Sequence, residues 1–224
     1  MAVKRNLLKR VVWMMVVMLL LTSCLKEGDT TVLVNDPQEV PFITDYLPKD
    51  LLELFGEENV HFGDRPPVVD LELKSQHEYV AIVTDMPDHP QVGGLSPITY
   101  YHKLTRQYLQ IAEYIGMNSE ESRCRLISPV YLIGSGHDFT AYFYEAPQTE
   151  GSPEHAVLMS GTLTNSGIKD MLYGYKIMRY NDSIVSPVAY PVNSIFIFRD
   201  WDGLAETCSW YDDSLLNSKK PMKP

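Results

Sequence analysis

Val69, Leu71 and Leu73 alternate with Asp70, Glu72 and Lys74. That period of two puts apolar side chains on one face and charged ones on the other, as a half-buried strand demands and a helix does not. Tyr79-Val80-Ala81-Ile82-Val83 reads as a second strand. Val130-Tyr131-Leu132-Ile133 then runs through Gly134-Ser135-Gly136 into Phe139-Thr140-Ala141-Tyr142-Phe143-Tyr144, and residues 156–164, 171–180 and 194–199 repeat the aromatic and β-branched wording. Short strands at near-regular spacing, with turn residues between them, predict an all-β fold: a single antiparallel β-barrel or β-sandwich.

Two stretches interrupt that pattern. Residues 48–56 read as a short N-terminal helix, with proline tolerated at its start and Gly56 suited to its stop. Residues 85–97, with Pro87, Pro90, Gly93 and Gly94, read as a surface loop. Between 100 and 116 the residues leave two options open. Tyr101, Leu104, Tyr108, Ile111 and Ile115 fall at helical spacing, yet the same stretch divides into two tyrosine-rich strands.

The start of the chain carries an address. Lys4, Arg5, Lys9 and Arg10 precede an uncharged apolar run over residues 11–21, the layout of a secretory signal. Such a run makes about 16 Å of helix, half of the ~30 Å hydrocarbon core of a bilayer. Leu21-Thr22-Ser23-Cys24 resembles the lipobox of bacterial lipoproteins. The resemblance implies cleavage after residue 23 and a diacylglyceryl group on the Cys24 sulfur. It implies a lipid-anchored protein whose membrane partner is reached through that anchor. Several acyl chains make such anchoring stable where one does not. Lys26-Glu27-Gly28-Asp29 partly resembles the surface-export signal of lipoproteins in some Gram-negative gut anaerobes, and no aspartate follows Cys24 directly. Outer-membrane attachment, with a surface-exposed or a solvated tether, is the expectation. The organisation read from the sequence is a signal peptide over 1–23, a lipidated tether over 24–45 and one β-rich domain over 46–224.

Charge limits the partners. The chain has 19 basic and 29 acidic residues. Loss of the leader removes four basic residues and leaves a formal charge of −14. Nucleic-acid binders present basic patches, so nucleic acid is not expected. Cys124 and Cys208 remain once Cys24 is lipidated, in a compartment that permits disulfides; a bridge and two buried thiols are both open. No Cys-x-x-Cys is present. Asp29-Thr30-Thr31, Asp182-Ser183-Ile184 and Asp213-Ser214-Leu215 resemble acceptors for O-glycans in exported proteins of this group, which would place them at Thr30, Ser183 and Ser214.

The order of lipobox, tether, short helix, Pro66-Pro67 turn and a run of strands resembles lipocalin-like, calycin-type lipoprotein domains of gut anaerobes. The wording Gly134-Ser135-Gly136-His137-Asp138-Phe139-Thr140, Met159-Ser160-Gly161-Thr162 and Phe198-Arg199-Asp200-Trp201-Asp202-Gly203 carries it. The resemblance implies a fold more than a function.

No stretch states a chemistry. Asp200-x-Asp202-Gly203 lacks the glutamate that completes a calcium loop and reads as a turn. Ser135, His137 and Asp138 lie too close in sequence for a catalytic triad and read as a glycine turn. The six histidines show no metal spacing and read as surface or hydrogen-bonded residues, and no metal or cofactor is expected. Fourteen tyrosines and three tryptophans offer amphipathic faces for a ligand or fill a strand-built core. The expectation is a non-enzymatic binding or accessory module for a glycan, a small apolar ligand or a partner protein. The alternatives are a glycan-active hydrolase of the envelope and a structural envelope component.

Overall fold

The computed structural model describes residues 40–119, 125–146, 151–180 and 189–209. Ten strands follow two short helices. The helices are α1 (Ile43–Tyr46) and α2 (Lys49–Phe55), followed by a 3-10 turn at Glu57–Asn59. The strands are β1 (Asp64–Arg65), β2 (Leu71–Val83), β3 (Leu95–Tyr108), β4 (Ile111–Asn118), β5 (Arg125–Ser135), β6 (Asp138–Glu145), β7 (Pro153–Thr164), β8 (Gly167–Tyr180), β9 (Ile195–Asp200) and β10 (Leu204–Thr207). The fold is all-β, as the alternating pattern requires.

Strands β2 to β8 pair in sequence order, each antiparallel to the next. The circle closes because β9 and β10 occupy successive lengths of the gap between β8 and β2. β9 spans His77 to Val83 of β2, and β10 spans Leu73 and Lys74. Hydrogen bonding therefore rings through eight staves, the last broken by the turn at residues 201–203. Closure leaves few unpaired strand edges. At one end the connections are two-residue turns: Leu109-Gln110, Gly136-His137 and Asn165-Ser166. At the other they are long: 84–94, 119–124, 146–152 and 181–194.

One sequence expectation changes, and two further details emerge. The strands read at 69–74 and 79–83 are one strand, β2, carried through Ser75-Gln76-His77-Glu78 with register shifts at Gln76/Glu78 and Tyr79/Ala81. The 100–116 stretch resolves into the hairpin β3–β4, because Tyr100, His102 and Leu104 share a face with Tyr114 and Gly116 across the ladder. The helical spacing there is a coincidence, and Tyr108 ends up 73% exposed. Packing also starts before residue 46, since Ile43 of α1 is buried.

Two apolar clusters hold the fold. One lies inside the ring and includes Leu73, Leu104, Val130, Leu132, Phe139 and Met159. The other lies outside it, where Ile43, Leu47, Leu51 and Phe55 cover Tyr142, Ala156, Leu158, Ile195 and Ile197. Fully burying Leu51 and Phe55 contributes about 1.5–3 kcal/mol each. Polar ties fix the helices: the Tyr142 hydroxyl donates to the Pro41 carbonyl at 2.6 Å and Lys176 donates to Asp50 at 2.5 Å.

Candidate functional site

Each strand sends alternate side chains into the ring. Near the two-residue turns these are aliphatic or phenyl groups, and they are dry: Leu104, Leu132, Phe139 and Ile168 are fully buried. Toward the end with the long connections the lining changes to His77, Tyr100, His102, Tyr114, Tyr173, Tyr175, His155 and Glu145. Tyr100, Tyr173, Tyr175 and His155 keep partial exposure there. A cleft of about 60 Å³ opens among Tyr100, Tyr114, Gly116, Met117, Asn118, Glu145 and Tyr173.

The histidines of this lining differ. His102 is satisfied: its Nδ1 lies 2.7 Å from the Tyr114 hydroxyl and its Nε2 lies 3.1 Å from Ser75 Oγ. Burial pushes its pKa down to about 3. His77 is fully buried, and neither ring nitrogen has a hydrogen-bond partner. It stacks on Tyr100 with centroids 4.1 Å apart, and it lies 5.5 Å from Tyr173 and 5.0 Å from Phe198. Burial, with His102 adding to it, holds its pKa well below the ordinary histidine range. Glu145 Oε2 lies 3.3 Å from His155 Nδ1. Burial raises the Tyr173 and Tyr175 hydroxyls well above the usual phenol range, and the Glu145 charge adds to both shifts. Burial therefore keeps His77, His102, Tyr173 and Tyr175 in their neutral forms at pH 7.

A broader groove of about 1030 Å³ runs outside the ring along α2, walled by Leu52, Phe62, Val80, Leu172 and Ile197. Its charged rim is largely spent locally, since Glu53 pairs with Lys49 and Arg199 pairs with Glu78. It offers apolar surface without convergent polar groups, which makes the tyrosine-lined end the better candidate site.

Cys24, Thr30, Cys124, Ser183 and Ser214 lie outside the described residues. Cys208 follows β10, half-buried, with its backbone N–H donating to the Glu72 carbonyl at 2.9 Å. Residues 134–138 form the β5–β6 turn. A Cβ on Gly134, at φ 142°, would stand 2.2 Å from the Asp138 carbonyl oxygen. Residues 200–203 form the β9–β10 turn, with the Leu204 N–H donating to Asp202 at 3.2 Å. The reading of most histidines as surface or hydrogen-bonded fits His89, His137, His102 and His155; His77 departs from it. His77 is hard to see in the sequence because it lies in a polar run between two apolar ones, where the strand period is lost. Among the described residues no group of three His, Cys, Asp or Glu side chains is placed to hold a metal ion. No protein-family model, curated protein or solved structure matches the chain.

Proposed function

We propose that the chain is an outer-membrane lipoprotein anchored through Cys24, and that its ring of strands is a lipocalin-like barrel serving as a non-enzymatic binding module. The recognition site is the tyrosine-lined end, and its ligand is a glycan or a small uncharged molecule. One observation carries this reading: the interior lining turns from buried aliphatic groups to tyrosines, histidines and Glu145, of which Tyr100, Tyr173, Tyr175 and His155 are partly exposed, at the end of the ring opposite the two-residue turns. Rings with polar tips suit ligands that present an apolar face and hydrogen-bonding groups. A tether above the bilayer suits capture from the surrounding medium.

A two-carboxylate glycan hydrolase has less support. That chemistry places two carboxyl groups about 5–10 Å apart across a cleft. Glu145 lines the cleft, while Asp200, the other buried carboxylate among the described residues, accepts the Gln76 and Asp202 N–H groups in its own turn.

The test has two arms. Metabolic labelling with a fatty acid should mark the full-length protein and not its Cys24→Ala variant; labelling of both sinks the anchor. A panel of envelope glycans and an apolar dye, followed by protein fluorescence, should yield at least one ligand whose binding Tyr173→Ala abolishes. Binding that survives this substitution places the site elsewhere.

A further inference from the structure

The two-residue turns at one end of the ring are not alike. Gly136-His137 and Asn165-Ser166 use ordinary turn residues, and Gly136 takes φ 65°. The turn between β3 and β4 holds Leu109 at φ 55° instead, in the left-handed region where glycine or asparagine is the usual choice. Leu109 and its neighbour Tyr108 are both 73% exposed. Nothing in the turn itself favours an exposed leucine there, and a backbone outlier of this kind points to a use for the side chain.

Gln107 brings a third apolar group to the same place. Its Oε1 accepts the Val69 N–H at 2.7 Å, and its Nε2 donates to the Pro67 carbonyl at 3.1 Å and to the Leu109 carbonyl at 2.9 Å. Val68 lies between the two tied residues and is 77% exposed, while Val69 is fully buried. One carboxamide thus gathers Val68, Tyr108 and Leu109 into a single apolar tip.

Size and shape select the partner. Three side chains cover far less than the ~800 Å² that each side of a stable protein interface buries. A protruding turn also offers a small ligand no enclosure. A lipid surface needs neither: it takes a few apolar side chains, with an aromatic hydroxyl and a cation at headgroup level. Tyr108 has the hydroxyl. Arg106, at the register shift in β3, carries an exposed guanidinium 3.5 Å from Glu113. Asp70, exposed two residues beyond Val68, and the acidic chain as a whole disfavour an anionic surface. Zwitterionic lipid is what the tip suits.

We propose that Val68, Tyr108 and Leu109 insert into the surface of a zwitterionic bilayer and seat this end of the ring on the membrane. The inference rests on the reading of the chain as a lipid-anchored protein and adds which end meets the bilayer. The tyrosine-lined end, opposite the two-residue turns, then faces the medium from which a ligand is captured.

Full-length protein reconstituted into phosphatidylcholine vesicles tests it, with single tryptophan reporters read against the parent chain. In vesicles with brominated acyl chains, Leu109→Trp and Tyr108→Trp should each lose roughly half of the added emission, because such a tip reaches about 5–10 Å into the headgroup and acyl boundary. Val92→Trp, at the other end and 62% exposed in the parent, should lose none. Tyr108 lies outside the left-handed region, so it reports on the tip even where a tryptophan at Leu109 disturbs the turn. Quenching at either tip position, with none at Val92→Trp, upholds the tip. Its absence at both, in protein that floats with the vesicles, overturns the tip and leaves the anchor standing. Equal quenching of Val92→Trp overturns it as well, since neither end is then preferred. Blue-shifted but unquenched emission at the tip means that protein covers it, a partner or a second copy, and overturns the lipid assignment. Protein that does not float with the vesicles removes the anchor and the tip together.

Discussion

The imidazole of His77 lies flat on the phenol ring of Tyr100, with centroids 4.1 Å apart and planes 10° from parallel. His102 continues the column at 19° to His77, yet the two histidines are in opposite states. His102 has a partner at each nitrogen, and His77 has none. Leaving a buried polar group unpaired costs about 1–3 kcal/mol. His77→Phe keeps a flat ring in the column and removes both unpaired nitrogens. It should therefore raise the unfolding free energy by about 1–3 kcal/mol, measured by urea denaturation. A destabilised variant would mean that His77 has a partner in solution.

Acid should weaken the fold through the same pair. Both imidazoles have folded pKa values lowered by burial, to about 3 for His102. The unfolded chain binds their protons near the ordinary value of about 6.5. Between those values the unfolded state holds more protons, so stability falls as pH falls, by about 1.4 kcal/mol per unit for each histidine. Asp200 acts in the opposite sense. Burial raises it to about 6 from 3.8, so its contribution is full at low pH and is lost as pH rises through that window. Two histidines outweigh one aspartate. Denaturation midpoints should drop steadily from pH 6.5 to 4.5, and less steeply in His77→Phe. A flat profile in both proteins would refute the account.

Alkali acts on the tyrosines. Burial raises Tyr46 to about 12 and lifts Tyr142, Tyr173 and Tyr175 as well. A raised folded pKa means stability is full below about pH 10 and is lost as pH climbs toward the folded value. After a rapid jump to about pH 11, tyrosinate absorbance should therefore appear in two phases. The slow phase carries these four residues and keeps pace with loss of ellipticity. A single fast phase from an intact fold would show these hydroxyls to be accessible.

Much of the ring was readable and its site was not, for one physical reason. The strand period depends on one face being apolar, and it holds where the interior is dry, at Leu71 and Leu73 or across residues 139–144. Where the interior becomes polar, at Ser75 and His77, inward and outward positions are both polar and the period vanishes. That loss divides β2 into two apparent strands in the sequence and conceals its inward-facing polar residues. The 100–116 stretch stays open between helix and hairpin for a similar reason: Tyr100, His102 and Tyr114 face inward, while Tyr108 and Ile111, which supply the helical spacing, pair with each other across the ladder beside the turn. The helix at 48–56 was legible because Pro48 and Gly56 mark its ends locally. Closure through β9 and β10 depends on pairing over more than a hundred residues, which no local pattern carries.

The seat of that helix makes the last prediction. Gly174 of β8 faces outward beneath α2, and a Cβ there would stand 2.6 Å from Cδ1 of Ile197 and 3.1 Å from Cδ2 of Phe55. Phe55 is nearly fully buried and cannot yield without lifting the helix. Gly174→Ala should cost about 1–3 kcal/mol by overpacking, and Phe55→Ala about 3–5 kcal/mol by the lost burial and the cavity left behind. The two changes share one space, so they should not add. With Phe55 cut back, the new methyl has somewhere to go, and the double variant should be more stable than the sum of the single effects implies by about 0.5–3 kcal/mol. Urea denaturation of the four proteins measures that coupling. Strict additivity would mean that the helix does not rest on Gly174, and the outer half of the core would need another arrangement.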